Sequence, residues 1–448
     1  MKQALSGTSL GIRAEPKASG KVSASKSMNL WSVTAMGIGA MVGAGIFALL
    51  GEVALVAGNE TYISFIIGGF VAILSGYSYA KLAAKYPDAG GLDTYFNEAF
   101  GPGKLSGTLS LIYLLTIAAT IALVAKAFGA YAAQLAFGST NVLLINAFAS
   151  GLTIIAVLLN IATSGLVGKA EVILVGIKLA ILALLMLAGA YGMASHVTVQ
   201  HAAPHVISVF SAVGLTFLAY AGFGMVTNAA GNVPNPTKTI PRAIYLAIGV
   251  VIVFYVGLAV VVLGNVSTAD LALHADTAVA EAARPMLGRA GYVIVAIGAL
   301  LATASGVNAW VFTAMQISAA MAKVRQLPSM FGKLVWRNGT LGLLLGVAAI
   351  LLCINVFDLN ALARIASATF LIAYMAVHVA HWQLSDKTNG SRWLIGIGFL
   401  SMLVVLALFL WATANVEPWS FALIVVFIAG SFAIEFLMTR ERIAGAPS

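Results

Sequence analysis

An apolar run near residues 31–56 is long enough to cross a bilayer, yet its segment 36–47, MGIGAMVGAGIF, carries glycine at 37, 39, 43 and 45. Glycine costs a helix interior about 0.8–1.0 kcal/mol per residue relative to alanine. These glycines therefore weaken the helix at the depth where lipid requires every backbone bond to be made. An interruption there is tolerated only where protein or a cavity satisfies the freed N–H and C=O groups. Freed groups at that depth form a polar site from main chain alone. The same glycines also fit a plainer role, since Gly39 and Gly43 form a small-xxx-small face that lets another helix approach closely.

The surroundings of this segment fix the protein class. Of the 448 residues 61% are hydrophobic and 9% charged, with a mean hydropathy of +0.99, against roughly 25% charged residues in soluble domains. The chain reads as an all-α polytopic membrane protein. Runs of about 20 apolar residues, the length of a span, place helices near 31–56, 60–84, 106–136, 141–162, 166–192 and 206–231. Six more fall near 241–264, 288–322, 339–355, 360–383, 392–413 and 418–438. Residues 1–28, rich in Ser, Ala, Gly and Lys, are expected to be a disordered tail, and 439–448 a second tail. No cleavable signal is read before the first span, which would serve as its own insertion signal.

Twelve spans put both termini on one side, and the positive-inside rule chooses it. With a cytoplasmic N-terminus the inner segments hold Lys81, Lys85, Lys104, Lys169, Lys238, Arg242, Lys323, Arg325, Lys387 and Arg392, while the outer ones have little beyond Arg284 and Arg289. The net charge of +9 is thus scattered between spans and reports topology, not a stripe for nucleic acid. A single cysteine, Cys353, excludes a disulfide framework or a multi-cysteine metal site.

After the second span, KYPDAGGLDTYFNEAFGPG at 85–103 begins with a break at Pro87 and Gly90–Gly91. Tyr95, Phe96, Ala99 and Phe100 then share one face, predicting a short amphipathic helix along the inner membrane surface. The sixth span repeats the opening motif: FLAYAGFGM at 217–225 carries Gly222 and Gly224. Paired interrupted spans in corresponding halves are the best sequence pointer to a transporter site built from an inverted repeat.

These segments resemble the amino acid, polyamine and organocation (APC) transporter superfamily. The resemblance rests on GIGAMVGAGIF at 37–47, AKLAAKYPDAGGLDTYFNEAFG at 80–101, FLAYAGFGMVTNAAGNVPNPTKTIPRAI at 217–244 and SGVNAWVFTAMQISAAMAKVRQLP at 305–328. The last two are similar to the sodium-independent, proton-coupled branch typified by ApcT. The resemblance implies a LeuT fold with discontinuous helices 1 and 6. Its core would be 29–383, with inverted repeats at about 29–192 and 204–383, and 384–438 would supply two peripheral helices.

It further implies that a substrate carboxylate meets N–H groups at Gly43, Ala44 and Gly45, and that an α-ammonium meets carbonyls of Met41, Leu218 and Ala221. The physics agrees, because a half-helix N-terminus carries roughly +0.5 charge and carbonyl ends suit a cation. Ala44 stands where many relatives place a hydroxyl. Ala221 and Gly224 replace bulkier or acidic residues, and Gly231–Asn232 replaces two acidic ones. Substrate identity does not carry over through these changes.

Lys178 lies deep in ILVGIKLAILALL, where a charged lysine is costly on any scale. It needs a carboxylate, a cluster of carbonyls, or deprotonation. The resemblance places its amine where related carriers hold sodium, between Gly37 or Ile38 carbonyls and Ser305, as a proton-coupling group. A static staple between helices 5 and 1 is the alternative.

Glu52 and Lys126 fall at similar outer depth, either paired or reaching separately into an outer vestibule. Tyr220 and Phe223 flank the second break and are candidates to cover a substrate, or else pack the core. Asn308 must find partners in substrate or backbone, and Trp310 is a further candidate. His378 and His381 share a face near the inner end, where interfacial placement explains them. His196, His201 and His205 fall in an outer loop.

The expectation is a secondary transporter of an amino acid or related zwitterion in the cytoplasmic (inner) membrane. Alternating access would carry it, with proton coupling and both termini cytoplasmic, as a monomer or weak homodimer. An amino acid or amine exchanger and a cation channel are the alternatives, the latter lacking a carbonyl filter or charged ring. No cofactor or metal is called for, and no enzyme constellation is present.

Overall fold

The computed structural model describes residues 28–88, 90–162, 167–196, 206–327, 331, 334–336 and 339–444. The tail expected over 1–28 lies outside them apart from Met28, as do His201 and His205. The chain opens with α1 (Leu30–Ala44) and α2 (Ile46–Ala57), which a 3-10 turn at Gly58–Glu60 joins to α3 (Thr61–Lys85). Next come α4 (Leu92–Phe100), α5 (Lys104–Phe137), α6 (Val142–Ala162) and α7 (Val167–His196). The helix α8 (Val206–Tyr220) then runs directly into a 3-10 segment, Ala221–Asn232.

The second half holds α9 (Pro236–Asn265), the short α10 (Thr268–Leu273), a 3-10 turn at Ala275–Thr277 and α11 (Ala278–Lys323). A two-stranded antiparallel ribbon of β1 (Leu334–Trp336) and β2 (Gly339–Thr340) leads into α12 (Leu341–Val356). The chain finishes with α13 (Leu359–Gln383), α14 (Ser385–Thr388), α15 (Arg392–Val416) and α16 (Pro418–Ala444).

Local chemistry sets these ends. Side-chain oxygens of Asn29, Thr340 and Asp358 accept from the N–H groups of Ser32, Leu343 and Ala361, capping α1, α12 and α13. Pro236 opens α9 at the position where its missing N–H costs nothing. Within α11, Gly288 at φ +66° breaks the helical path, so a short helix precedes the span expected from 288. Among the described residues ten helical stretches are long and apolar enough to cross a membrane, and Leu30–Gly43 and Leu341–Val356 are shorter apolar helices. The protein is a multi-pass membrane protein.

The spans form an inner and an outer set. Those of α5, α8 and α13 bury 78% of their apolar windows, whereas α6 buries 28% and α16 22%. Leu143, Trp393 and Trp419 accordingly stand exposed on α6, α15 and α16, as a lipid-facing shell requires.

The predicted amphipathic helix is α4, which keeps Glu98 exposed and buries Leu92, Asp93, Tyr95 and Phe96, packing against α5 and α13. His378 and His381 are likewise buried, which corrects their interfacial placement. Ser78 Oγ lies 3.0 Å from His378 Nδ1 and 2.9 Å from His381 Nδ1. One hydroxyl carries one proton, so it donates to one ring and accepts from the other, tying α3 to α13.

Candidate functional site

Gly45 marks the interruption of the first span. Its φ and ψ of −91° and −93° belong to neither helix, and its N–H donates to Met41 O at 2.7 Å while its own carbonyl accepts from Leu49 N–H at 2.8 Å. One helix thus ends and the next begins on a single residue. The first N–H groups of α2 have no intrahelical acceptor, which leaves a positive pole beside the break.

At the second interruption α8 passes into twelve residues of 3-10 helix. Runs of that kind beyond 3–4 residues are uncommon because their hydrogen bonds are poorly aligned.

The two interruptions pack on each other. A Cβ at Gly222 would lie 2.6 Å from Met41 N and 2.8 Å from the carbonyl carbon of Ala40, and one at Gly45 would lie 2.8 Å from Ala219 O. Only hydrogen at these positions lets the two backbones meet. Tyr255 of α9 stitches the junction: its hydroxyl donates to Met41 O at 2.6 Å, lies 3.4 Å from Ala219 O and faces the N–H of Ile46.

The other glycines of the opening segment serve helix approach. A Cβ at Gly43 would sit 2.7 Å from both Ala302 O and the Cα of Gly306, and one at Gly37 2.7 Å from Val226 Cγ2. Gly43 and Ala44 form the last helical residues of α1, while Ile38, Met41 and Leu218 are buried in the core.

Aromatic side chains surround the second break. Phe223 packs edge-on against Tyr79 at 5.3 Å and against Tyr374 at 5.5 Å, and Tyr374 also meets Phe217 and Phe370. The Tyr374 hydroxyl donates to Ala221 O, and Trp310 closes on Phe370 at 5.7 Å. Tyr220 turns away, donating to Phe65 O on α3 at 3.1 Å. Asn308 also faces elsewhere: its Oδ1 accepts from Asn160 of α6 at 2.7 Å.

Lys178 is 1% exposed and its Nζ donates to Ser305 Oγ, joining α7 to α11. Its ionic partner is Glu171, with Oε1 3.6 Å from Nζ. At the opposite end of the bundle Glu52 and Lys126 are both buried, and Lys126 donates to Phe357 O, not to Glu52. Among the described residues no cluster of three or more His, Cys, Asp or Glu is arranged to hold a metal.

Sequence reasoning did not find Glu171, Tyr255, Tyr79 or Tyr374. Each left a signal. Glu171 precedes Lys178 by seven residues, two helical turns on one face, and a tyrosine inside an apolar run carries a hydroxyl that must find a partner.

A family model described as amino acid permease matches residues 28–434. The inner membrane transport protein YbaT of Escherichia coli is 46% identical over 419 residues, covering 93% of this chain and 97% of that protein. The branched-chain amino acid permease BcaP of Bacillus subtilis is 26% identical over 401 residues, covering 82% and 83%. Among solved structures, a manganese transporter of Eremococcus coleocola superposes with a TM-score of 0.59 at 13% identity, covering 95% and 98%. At that identity the likeness concerns the fold alone.

Proposed function

Because the chain belongs to the amino acid permease family, we propose that it carries an amino acid or related zwitterion across the cytoplasmic membrane by alternating access. Protons drive the cycle through Lys178. The observation that carries this reading is the apposition of the Gly45 and Ala221–Asn232 interruptions, which brings a helix N-terminal pole and a set of helix-end carbonyls together inside the buried core. A zwitterion needs both poles and no charged side chain. The matching places of the two breaks favour twelve spans with α1–α7 and α8–α13 as inverted repeats. Scattered lysines and arginines favour cytoplasmic termini.

The substrate carboxylate is assigned to the break at Gly43, Ala44 and Gly45 through the free N–H groups at the start of α2, since Gly45 N–H is itself held by Met41 O, and Met41, Leu218 and Ala221 carbonyls are assigned to its ammonium. Phe223 covers the bound molecule. Ala221 O accepts from Tyr374 and offers substrate its second lone pair, whereas Met41 O already accepts from both Gly45 N–H and Tyr255, so an ammonium there displaces the Tyr255 hydroxyl. Tyr220 and Asn308 act at one remove, by fixing α8 to α3 and α11 to α6.

The test is uptake of radiolabelled proteinogenic amino acids into proteoliposomes under an inward proton gradient. Uptake that rises with the gradient and is unchanged when choline replaces sodium is expected, with Lys178→Ala abolishing the pH dependence. An absence of amino acid uptake sinks the substrate reading, and unchanged pH dependence in Lys178→Ala sinks the coupling.

A further inference from the structure

Lys178 does not stand alone in its chamber. Glu171, two turns earlier on α7, puts Oε1 3.6 Å from its amine, and the two side chains are 1% and 10% exposed. The opposing wall is α1, where Gly39 is the contact: a Cβ there would collide with Glu171 Oε1 and lie 3.1 Å from its Cδ. Glycine at 39 therefore leaves the space that the carboxylate fills. Within that space Oε1 is buried and makes no hydrogen bond.

A carboxylate held in this way is a poor structural element. Buried ion pairs often add nothing to stability over apolar residues of similar volume, and an unbonded buried oxygen costs free energy. What it supplies is negative charge beside an amine that lipid and core would otherwise discharge. Among the described residues no other group supplies it. The segment Leu30–Ala44 of α1 has no ionisable side chain, α11 presents the neutral hydroxyl of Ser305, and Glu171 is the one charge acting on the amine, with none contributed by α9.

We infer that Glu171 is the positioning residue of the proton-coupling site, the fixed counter-charge that lets Lys178 hold its proton inside the membrane. It thereby sets the external pH at which the carrier loads. This inference rests on the proton-coupled reading above and names the residue that tunes it.

The experiment compares wild type, Glu171→Gln, Gly39→Ala and Lys178→Ala as full chains in proteoliposomes, measuring uptake of the radiolabelled amino acid mixture against external pH. Removing an opposite charge at this range moves a titration by about one to three pH units. Half-maximal uptake in Glu171→Gln is expected to move that far toward acid. Gly39→Ala, which displaces the carboxylate without removing it, moves the same way by less. A Glu171→Gln profile that overlays wild type overturns the inference. So does one that has lost pH dependence, since the carboxylate would then be the titrating group itself.

If Lys178→Ala keeps the pH dependence, the coupling reading fails whatever Glu171→Gln does. If Lys178→Ala loses it while Glu171→Gln matches wild type, only the role of Glu171 fails. A ligand-free readout runs beside these: the change in melting temperature on Glu171→Gln, followed against pH, should vanish in the Lys178→Ala background. An effect that persists there shows that the carboxylate does not act through the amine.

Discussion

Asp93 shows how a single residue couples this fold to pH. It is buried on α4, where Ser110 Oγ donates to Oδ1 at 2.7 Å and Asn97 Nδ2 at 3.1 Å. Burial outweighs both hydrogen bonds and raises its pKa to about 6. Between about pH 4 and pH 6 the folded state therefore binds more protons than the unfolded one, so the stability tied to this group is greatest at low pH and falls as pH rises through 6. Asp93→Asn is neutral throughout and removes that decline. In thermal unfolding in detergent it should exceed wild type at pH 7.5 by the equivalent of about 1–3 kcal/mol, with the two converging at pH 4; a gap that ignores pH refutes the ionisation. Asp93 also marks where sequence reading ends. Lys178 was legible because a charge in the middle of an apolar run must find a partner, and Ser305 only because the family resemblance implied it. Asp93, Glu171, His378 and His381 sit near run ends, where sequence does not distinguish a solvated rim from a helix end sunk under its neighbours.

Among the elements, the interrupted spans were legible as weak helices, but their mutual fit was not. The four glycines of the opening segment divide their work: Gly45 makes the break, while Gly37 admits the 3-10 segment and α9, Gly39 admits α7 and Gly43 admits α11. Both readings of the glycine pattern thus hold, for different residues. The long 3-10 course of Ala221–Asn232 had no sequence counterpart, since its geometry depends on backbone contact with Ala40 and Met41. The element that fixes the junction is α9, through one hydroxyl. Tyr255→Phe keeps the ring contacts with Phe65 at 5.6 Å and Tyr220 at 5.2 Å but leaves Met41 O with Gly45 N–H alone and takes from Ile46 N–H its acceptor. A buried group deprived of its partner costs about 1–3 kcal/mol. Tyr131→Phe, which removes a longer 3.2 Å bond to Phe47 O and the contact with the Val279 N–H, should cost less. Equal losses of melting temperature in the two variants would show that Tyr255 is not the clasp of the break.

For the molecule as a whole, hydropathy located the spans, and contacts that sequence does not display decide which side of the bundle is shut. On the proposed orientation the outer end is closed. The Ala275–Thr277 turn lies on α2 so tightly that a Cβ at Gly51 would stand 2.7 Å from the Cα of Ala275, and Lys126 ties α5 to Phe357 at the end of α12. In the repeat reading α2 and this turn belong to opposite halves, so their contact exists only while that end is closed. Gly51→Leu then acts as a wedge. Overpacking costs about 1–3 kcal/mol, and a penalty of that size on the closed state alone shifts the equilibrium toward outward-open by about 5–150-fold. The single cysteine, Cys353, makes this measurable. In a Cys353→Ser, Leu218→Cys background, Gly51→Leu should accelerate labelling by a membrane-impermeant maleimide from outside and slow net uptake, because the carrier then spends little time closed to the exterior. Labelling that stays at the parental rate, with uptake undiminished, would mean that the turn over Gly51 is not a gate.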